Sequence, residues 1–184
     1  MDGIYLVHTT RDAEDIIKDG VLRSGAQTSK LTYGDLGDTA PLNQVYFSLV
    51  DGKYNIRRLT MKYGAALIFD PTLLYTRKFW LANQWVGEPS GNLESSDIIV
   101  REYPRYSRQI SSALTGAWKT ALKPPNKRTY YRKTQVSILN QCSLNHLVAI
   151  RFMGTRPSDE LLELIRTKYP SCVVTFTPVR KLNL

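Results

Sequence analysis

Short apolar runs set the pattern of this chain, and few stretches carry a helical period. Ile4-Tyr5-Leu6-Val7, QVYFSLV at 44–50, AALIFD at 65–70, DIIV at 97–100, QVSIL at 135–139 and LVAIRF at 147–152 are each four to seven residues long. Gly, Pro or polar residues bound them, as expected of strands closed by turns. Strands and helices do not alternate regularly, so a doubly wound parallel sheet is not the expected outcome. The pattern predicts an α+β fold. With 184 residues and 42% hydrophobic content the chain can bury a sizeable core, and one domain over 1–184 is expected.

The first strand is expected over 3–8, followed by a helix from Arg11 to Asp19 that Thr10 caps and Gly20 ends. Residues 24–43 read as a long surface loop, a class often functional. A strand at 44–50, a helix over 55–63 and a strand at 65–70 follow, then an irregular stretch over 71–96. A short strand at 97–100 and a helix over 107–121 lead to LKPPNKRTYYRKT at 122–134, where Pro124 and Pro125 forbid regular structure. Two strands, 135–139 and 147–152, are separated by a short turn. Ser158 is expected to cap a helix over 159–168, with a last strand at 172–177.

Charge is distributed unevenly. The chain holds 25 basic and 16 acidic side chains, a net charge of +9. From Tyr103 to Ser158 there is no Asp or Glu, yet ten basic residues fall there, so the excess is local. A polyanionic partner is the physical implication. No apolar run approaches the ~20 residues of a membrane span. The acidic N-terminus does not read as a secretory signal. Cys142 and Cys172 lack metal-ligand spacing and read as reduced, buried thiols, so an intracellular protein is expected. No phosphate-binding glycine loop, nucleophile elbow or zinc motif occurs.

Four fragments carry the chemistry. The first strand delivers His8, Thr9 and Thr10; a later one carries Val45-Tyr46-Phe47-Ser48; Tyr54 follows Tyr46 by eight residues; and TQVSILNQCSLNHLVAIRF gives a strand, a turn and a second strand. Taken singly, His8 is a strand-end residue satisfied by a carbonyl, and the tyrosines are core. In this order the fragments resemble the ADP-ribosyltransferase superfamily, on its diphtheria-toxin and poly(ADP-ribose) polymerase side, which carries a His-Tyr-Glu signature. The resemblance implies a split β-sheet core and NAD as substrate. It assigns His8 to a ribose hydroxyl, the Thr9 backbone to the nicotinamide carboxamide, and Thr10 and Ser48 to places beside them. Tyr46 and Tyr54 would flank the nicotinamide ring. A flat cationic ring favours such a pair through stacking and cation–π attraction.

One departure stands out. Where the resemblance calls for a glutamate, this chain has Gln135, and no carboxylate lies near it in sequence. The amide can hold a ribose hydroxyl but brings no negative charge to an oxocarbenium-like transition state. One such contact is typically worth ~3 kcal/mol. Single ADP-ribose transfer is therefore expected rather than chain elongation, unless Glu88, Glu94 or Glu102 supplies the charge. The basic segment before Gln135 presents Lys123, Lys127, Arg128, Tyr130, Tyr131, Arg132 and Lys133 as an acceptor surface for a nucleic acid. A non-catalytic module binding NAD, ADP-ribose or nucleic acid is the alternative that Gln135 favours. An NAD-dependent RNA 2′-phosphotransferase is a further one.

Overall fold

The computed structural model describes residues 4–28, 43–51, 64–77, 79–82, 101–103 and 135–178. The helices expected over 55–63 and 107–121, the strand at 97–100, Tyr54, Glu88, Glu94 and the basic segment 122–134 lie outside them. The chain divides into two compact units, one formed by residues 22–49 and 72–142, the other by 2–21, 50–71 and 143–184. Both are assembled from separated segments.

The first unit holds β3 (Gln44–Asp51, its last two residues in the other unit), β5 (Phe79–Ala82), β6 (Arg101–Tyr103) and β7 (Gln135–Leu139). They lie in the order β3-β7-β5-β6, each pair antiparallel. Val45, Phe47, Leu49, Phe79, Val136 and Ile138 are buried, and Tyr46, Ser48 and Trp80 on the alternate positions are half-buried. The unit thus buries one sheet face as its core. A short helix α2 (Gly25–Thr28) opens the segment that was expected to be loop. Within 71–96, also expected irregular, a 3-10 helix over Pro71–Thr76 and strand β5 form.

The second unit holds β1 (Ile4–Thr10), β4 (Gly64–Phe69), β9 (Leu147–Gly154) and β10 (Val173–Pro178), in the order β10-β9-β4-β1. β10 runs parallel to β9, and the other pairs are antiparallel. Here both faces are packed. Leu6, Leu67 and Ile150 are fully buried on one, while Val7, Ala66 and Ile68 form a cluster on the other with Tyr5, Val50, Val148, Ala149 and Met153 against it. Each fully buried Leu or Ile contributes roughly 1.5–3 kcal/mol relative to exposure.

Helices α1 (Ala13–Asp19) and α3 (Asp159–Lys168) belong to the second unit and touch each other. Ser158 caps α3 as expected, its hydroxyl oxygen accepting from the Leu161 N–H at 3.2 Å. Leu161 and Ile165, one turn apart, supply its buried stripe. α1 is shorter than expected. Its cap position is Asp12, which makes no side-chain capping bond, and the Thr10 hydroxyl instead accepts from the Asp12 N–H at 3.0 Å. Gly20 ends α1 in the left-handed conformation at φ 72°, as expected. β2 (Val21–Arg23) and β8 (Gln141–Ser143), neither expected as a strand, form a separate two-stranded ladder.

Candidate active site

In the first unit the candidate residues fall into register. Tyr46 on β3 stands opposite Ser137 on β7, and Ser48 stands opposite Gln135. β5 continues both rows, with Trp80 opposite Ser137 and Ala82 opposite Gln135. Directly opposed residues in antiparallel strands share a face, with Cβ atoms ~4.5–5.5 Å apart. One row of partners therefore reads Tyr46, Ser137, Trp80, and the next register positions are Ser48, Gln135 and Ala82. Ser137, at the middle position of the first row, is only 6% exposed.

The register of β7 is pinned at its far end. Asn140 adopts φ 63°, a left-handed conformation that Asn tolerates better than most side chains. Its N–H donates to the Asn43 carbonyl and its own carbonyl accepts from the Ser24 N–H, both at 2.7 Å. A slip of one residue would exchange Gln135 and Ser137 for Val136 and Ile138 on this face. The burial of those two hydrophobic residues opposes it.

In the second unit β1 runs two residues beyond the expected end, so His8 lies inside the strand rather than at its tip. His8 is opposite Leu67, Thr9 opposite Ala66 and Thr10 opposite Ala65. Leu6, His8 and Thr10 share one face by alternation and Thr9 takes the other. His8 is half-buried, and Leu67 beside it is fully buried. The end of β1 is held closely by Gly64, whose φ of 113° suits only glycine and where a Cβ would run into the Thr10 carbonyl. The Thr10 hydroxyl oxygen shapes the turn into α1, in place of the capping role expected of it.

Glu102, weighed as a substitute acid, occupies the register position opposite Trp80 on β6. That is two strands from Gln135, ~10 Å at the usual strand spacing. Neither thiol is a nucleophile at neutral pH. Burial pushes Cys142 up to about 12, against a smaller opposing pull from Arg77, and burial pushes Cys172 up to about 11. Cys142 is buried, as expected, but Cys172 is half-buried rather than buried. Among the described residues no cluster of three or more His, Cys, Asp or Glu could hold a metal ion. Among them, too, no helix is long and apolar enough to cross a membrane.

Nothing in the sequence pattern assigns Trp80 a role. Its signal was faint: FWLA places a fully buried Phe79 beside a half-buried Trp80, a strand alternation only four residues long.

Solved structures share this architecture. Thermus sp. 2.9 DarT in complex with NAD+ is similar over 96% of each chain, with a TM-score of 0.61 and 10% sequence identity. The same protein in complex with ADP-ribosylated ssDNA is similar over 94% of this chain and 93% of that one, with a TM-score of 0.55 and 12% identity. Thermosipho africanus DarTG in complex with ADP-ribose is similar over 97% of this chain and 50% of that one, with a TM-score of 0.54 and 10% identity. No curated protein matches. The fold is α+β and ADP-ribosyltransferase-like, as the sequence resemblance implied. A family model matches residues 1–108, and the chain belongs to that family, a family of unknown function designated DUF5846.

Proposed function

We propose that this chain is an NAD-dependent mono-ADP-ribosyltransferase, residues 1–184 acting as one catalytic domain, with single-stranded nucleic acid as the acceptor. The observation that carries the reading is the register of Tyr46, Ser48 and Gln135 on neighbouring strands, in a fold shared with proteins solved with NAD+ and with ADP-ribosylated ssDNA.

In this reading Tyr46 stacks on the nicotinamide ring, with Tyr54 as the second ring, and the Thr9 backbone holds the carboxamide. His8 hydrogen-bonds a ribose hydroxyl, and Thr10 and Ser48 add hydroxyl groups beside it. Gln135 holds the ribose 2′-hydroxyl through its amide. The glycosidic bond between the ribose C1 and the nicotinamide nitrogen breaks, and its electron pair neutralises the pyridinium. An acceptor heteroatom bonds to C1 and gives its proton to water. Without a carboxylate at 135, the developing positive charge is stabilised by dipoles alone, so slow turnover is expected. The positively charged segment with Lys123, Lys127, Arg128, Arg132 and Lys133 gathers phosphates, and Tyr130 and Tyr131 offer faces to bases.

Incubation with NAD labelled on the adenylate, with and without ssDNA, tests this. Free nicotinamide together with label on the DNA is expected. NAD binding with neither product favours the second reading, a non-catalytic NAD-binding module, for which Gln135 is the specific observation. No binding at all would remove both.

A further inference from the structure

Arg151 on β9 has no task in the proposed reaction, and no acid answers its charge. Its Nε and Nη2 both donate to the Thr177 hydroxyl oxygen on β10, at 2.9 and 2.6 Å. Among the described residues Arg156 pairs with Asp159 and Arg166 with Glu163, but no carboxylate pairs with Arg151. A guanidinium offers only N–H donors, and a hydroxyl has two lone pairs and one proton. With both lone pairs taken by Arg151, Thr177 can only donate. The pair therefore presents a positive charge, the remaining guanidinium N–H groups and one O–H, and accepts nothing.

Its setting opens on one side. By alternation Arg151 lies on the face of Val7, Ala66 and Ile68, opposite the face of His8, Leu67 and Ile150. One row across this face reads Thr9, Ala66, Arg151, Thr175. Burial falls along the row toward the edge of the sheet: Ala66 is fully buried, Arg151 half-buried and Thr175 exposed, with Val173 beside it on β10 60% exposed. The Arg151 stem thus lies on apolar sheet while its head stands over the outer strand. Thr177 holds the planar fork, so little side-chain freedom is left to lose on binding.

We infer that Arg151, braced by Thr177, is a phosphate-binding site that takes a backbone phosphate of the acceptor strand. An oxyanion supplies the acceptors the pair lacks, and a guanidinium fork matches phosphate geometry. Arg151 also belongs to the acid-free run from Tyr103 to Ser158 that carries the excess charge of the chain. The phosphates of NAD are the other source of this chemistry, but in the proposed reading the ribose is held from His8, on the opposite face. The inference rests on the acceptor half of that reading.

The test measures binding of a fluorescent dT12 oligonucleotide across a salt series, with NAD affinity measured alongside. Wild type, Arg151→Gln, Arg151→Met and Arg151→Lys are compared. Arg151→Met keeps an unbranched apolar stem on the sheet, so a fold lost in the glutamine variant does not end the experiment. Loss of one phosphate contact should lower the slope of log affinity against log salt by ~0.7. Binding at low salt should weaken ~10-fold. An abasic strand of equal length should lose as much as dT12, because phosphates carry no base identity. Arg151→Lys keeps the charge and should restore the slope, and NAD affinity should not change in any variant. A wild-type slope in the neutral variants, or a loss in Arg151→Lys equal to theirs, makes Arg151 a structural brace and overturns the site. A fall in NAD affinity at an unchanged slope assigns the pair to NAD and overturns it as well. Failure of wild type to bind dT12 removes the acceptor reading and the inference with it, while nicotinamide release judges the transferase reading separately.

Discussion

The strands of the two units are packed differently. The sheet of the second unit is packed on both faces, with Leu6, Leu67 and Ile150 on one and Val7, Ala66 and Ile68 on the other. Among the described residues the first unit buries the hydrophobic side chains Val45, Phe47, Val136 and Ile138 on one face. Its other face carries Tyr46, Ser48 and Trp80, half-buried, around Ser137. Packing on both faces gives rigidity, and in the proposed reading this unit lends the site only His8, Thr9 and Thr10 at the end of β1. A sheet sealed on one side can present groups in fixed register. The difference teaches that stability and reactivity are separable here, and substitutions should separate them.

The largest effect should come from the doubly packed sheet. Ile150→Ala removes a fully buried side chain and should cost ~2–5 kcal/mol of stability, read as a lower denaturant midpoint. If it cost less than a surface change, the claim of dense packing on both faces would fail. On the reactive face the change of comparable size is catalytic. Gln135→Glu should raise nicotinamide release by ~100-fold, ~3 kcal/mol, with the midpoint little altered. Unchanged turnover in that variant would count against Gln135 as the residue holding the reacting ribose.

These two outcomes also mark what could be read before the structure. Strand β7 and helix α3 were legible to the residue, because each announces itself locally. β7 alternates apolar and polar residues, and α3 has a serine cap, acids at its start and bases at its end. β5, β6 and β8 were not. Arg101-Glu102-Tyr103 is a strand only because Phe79, Trp80 and Leu81 pair with it, and the three residues of β8 likewise depend on β2. Strands this short carry no period of their own, and partners distant in sequence decide them. The same limit hid Trp80, whose place became visible only through its pairing with Ser137. His8, Tyr46 and Gln135 were legible by type and order, but their register required the sheet. Thr10 was legible as the residue at the start of α1, but its contact with the Asp12 N–H required the structure.

Smaller effects sharpen the contrast further. Gly64→Ala forces a side chain into a positive-φ position against the Thr10 carbonyl and should cost ~1–3 kcal/mol, measured by thermal unfolding. Because this position anchors the end of β1, NAD affinity should fall with it. Ser158→Ala removes the α3 cap and should cost ~1 kcal/mol with no change in NAD affinity. An affinity loss in the cap variant would tie α3 to the site and blur the division between scaffold and reactive face.

The most direct measurement is calorimetric titration of NAD into wild type and Tyr46→Ala. Stacking and cation–π attraction of ~1–2 kcal/mol predict ~5- to ~30-fold weaker binding in the variant. Equal affinity in the two proteins would contradict the account, because the ring that is meant to hold the leaving group would then hold nothing.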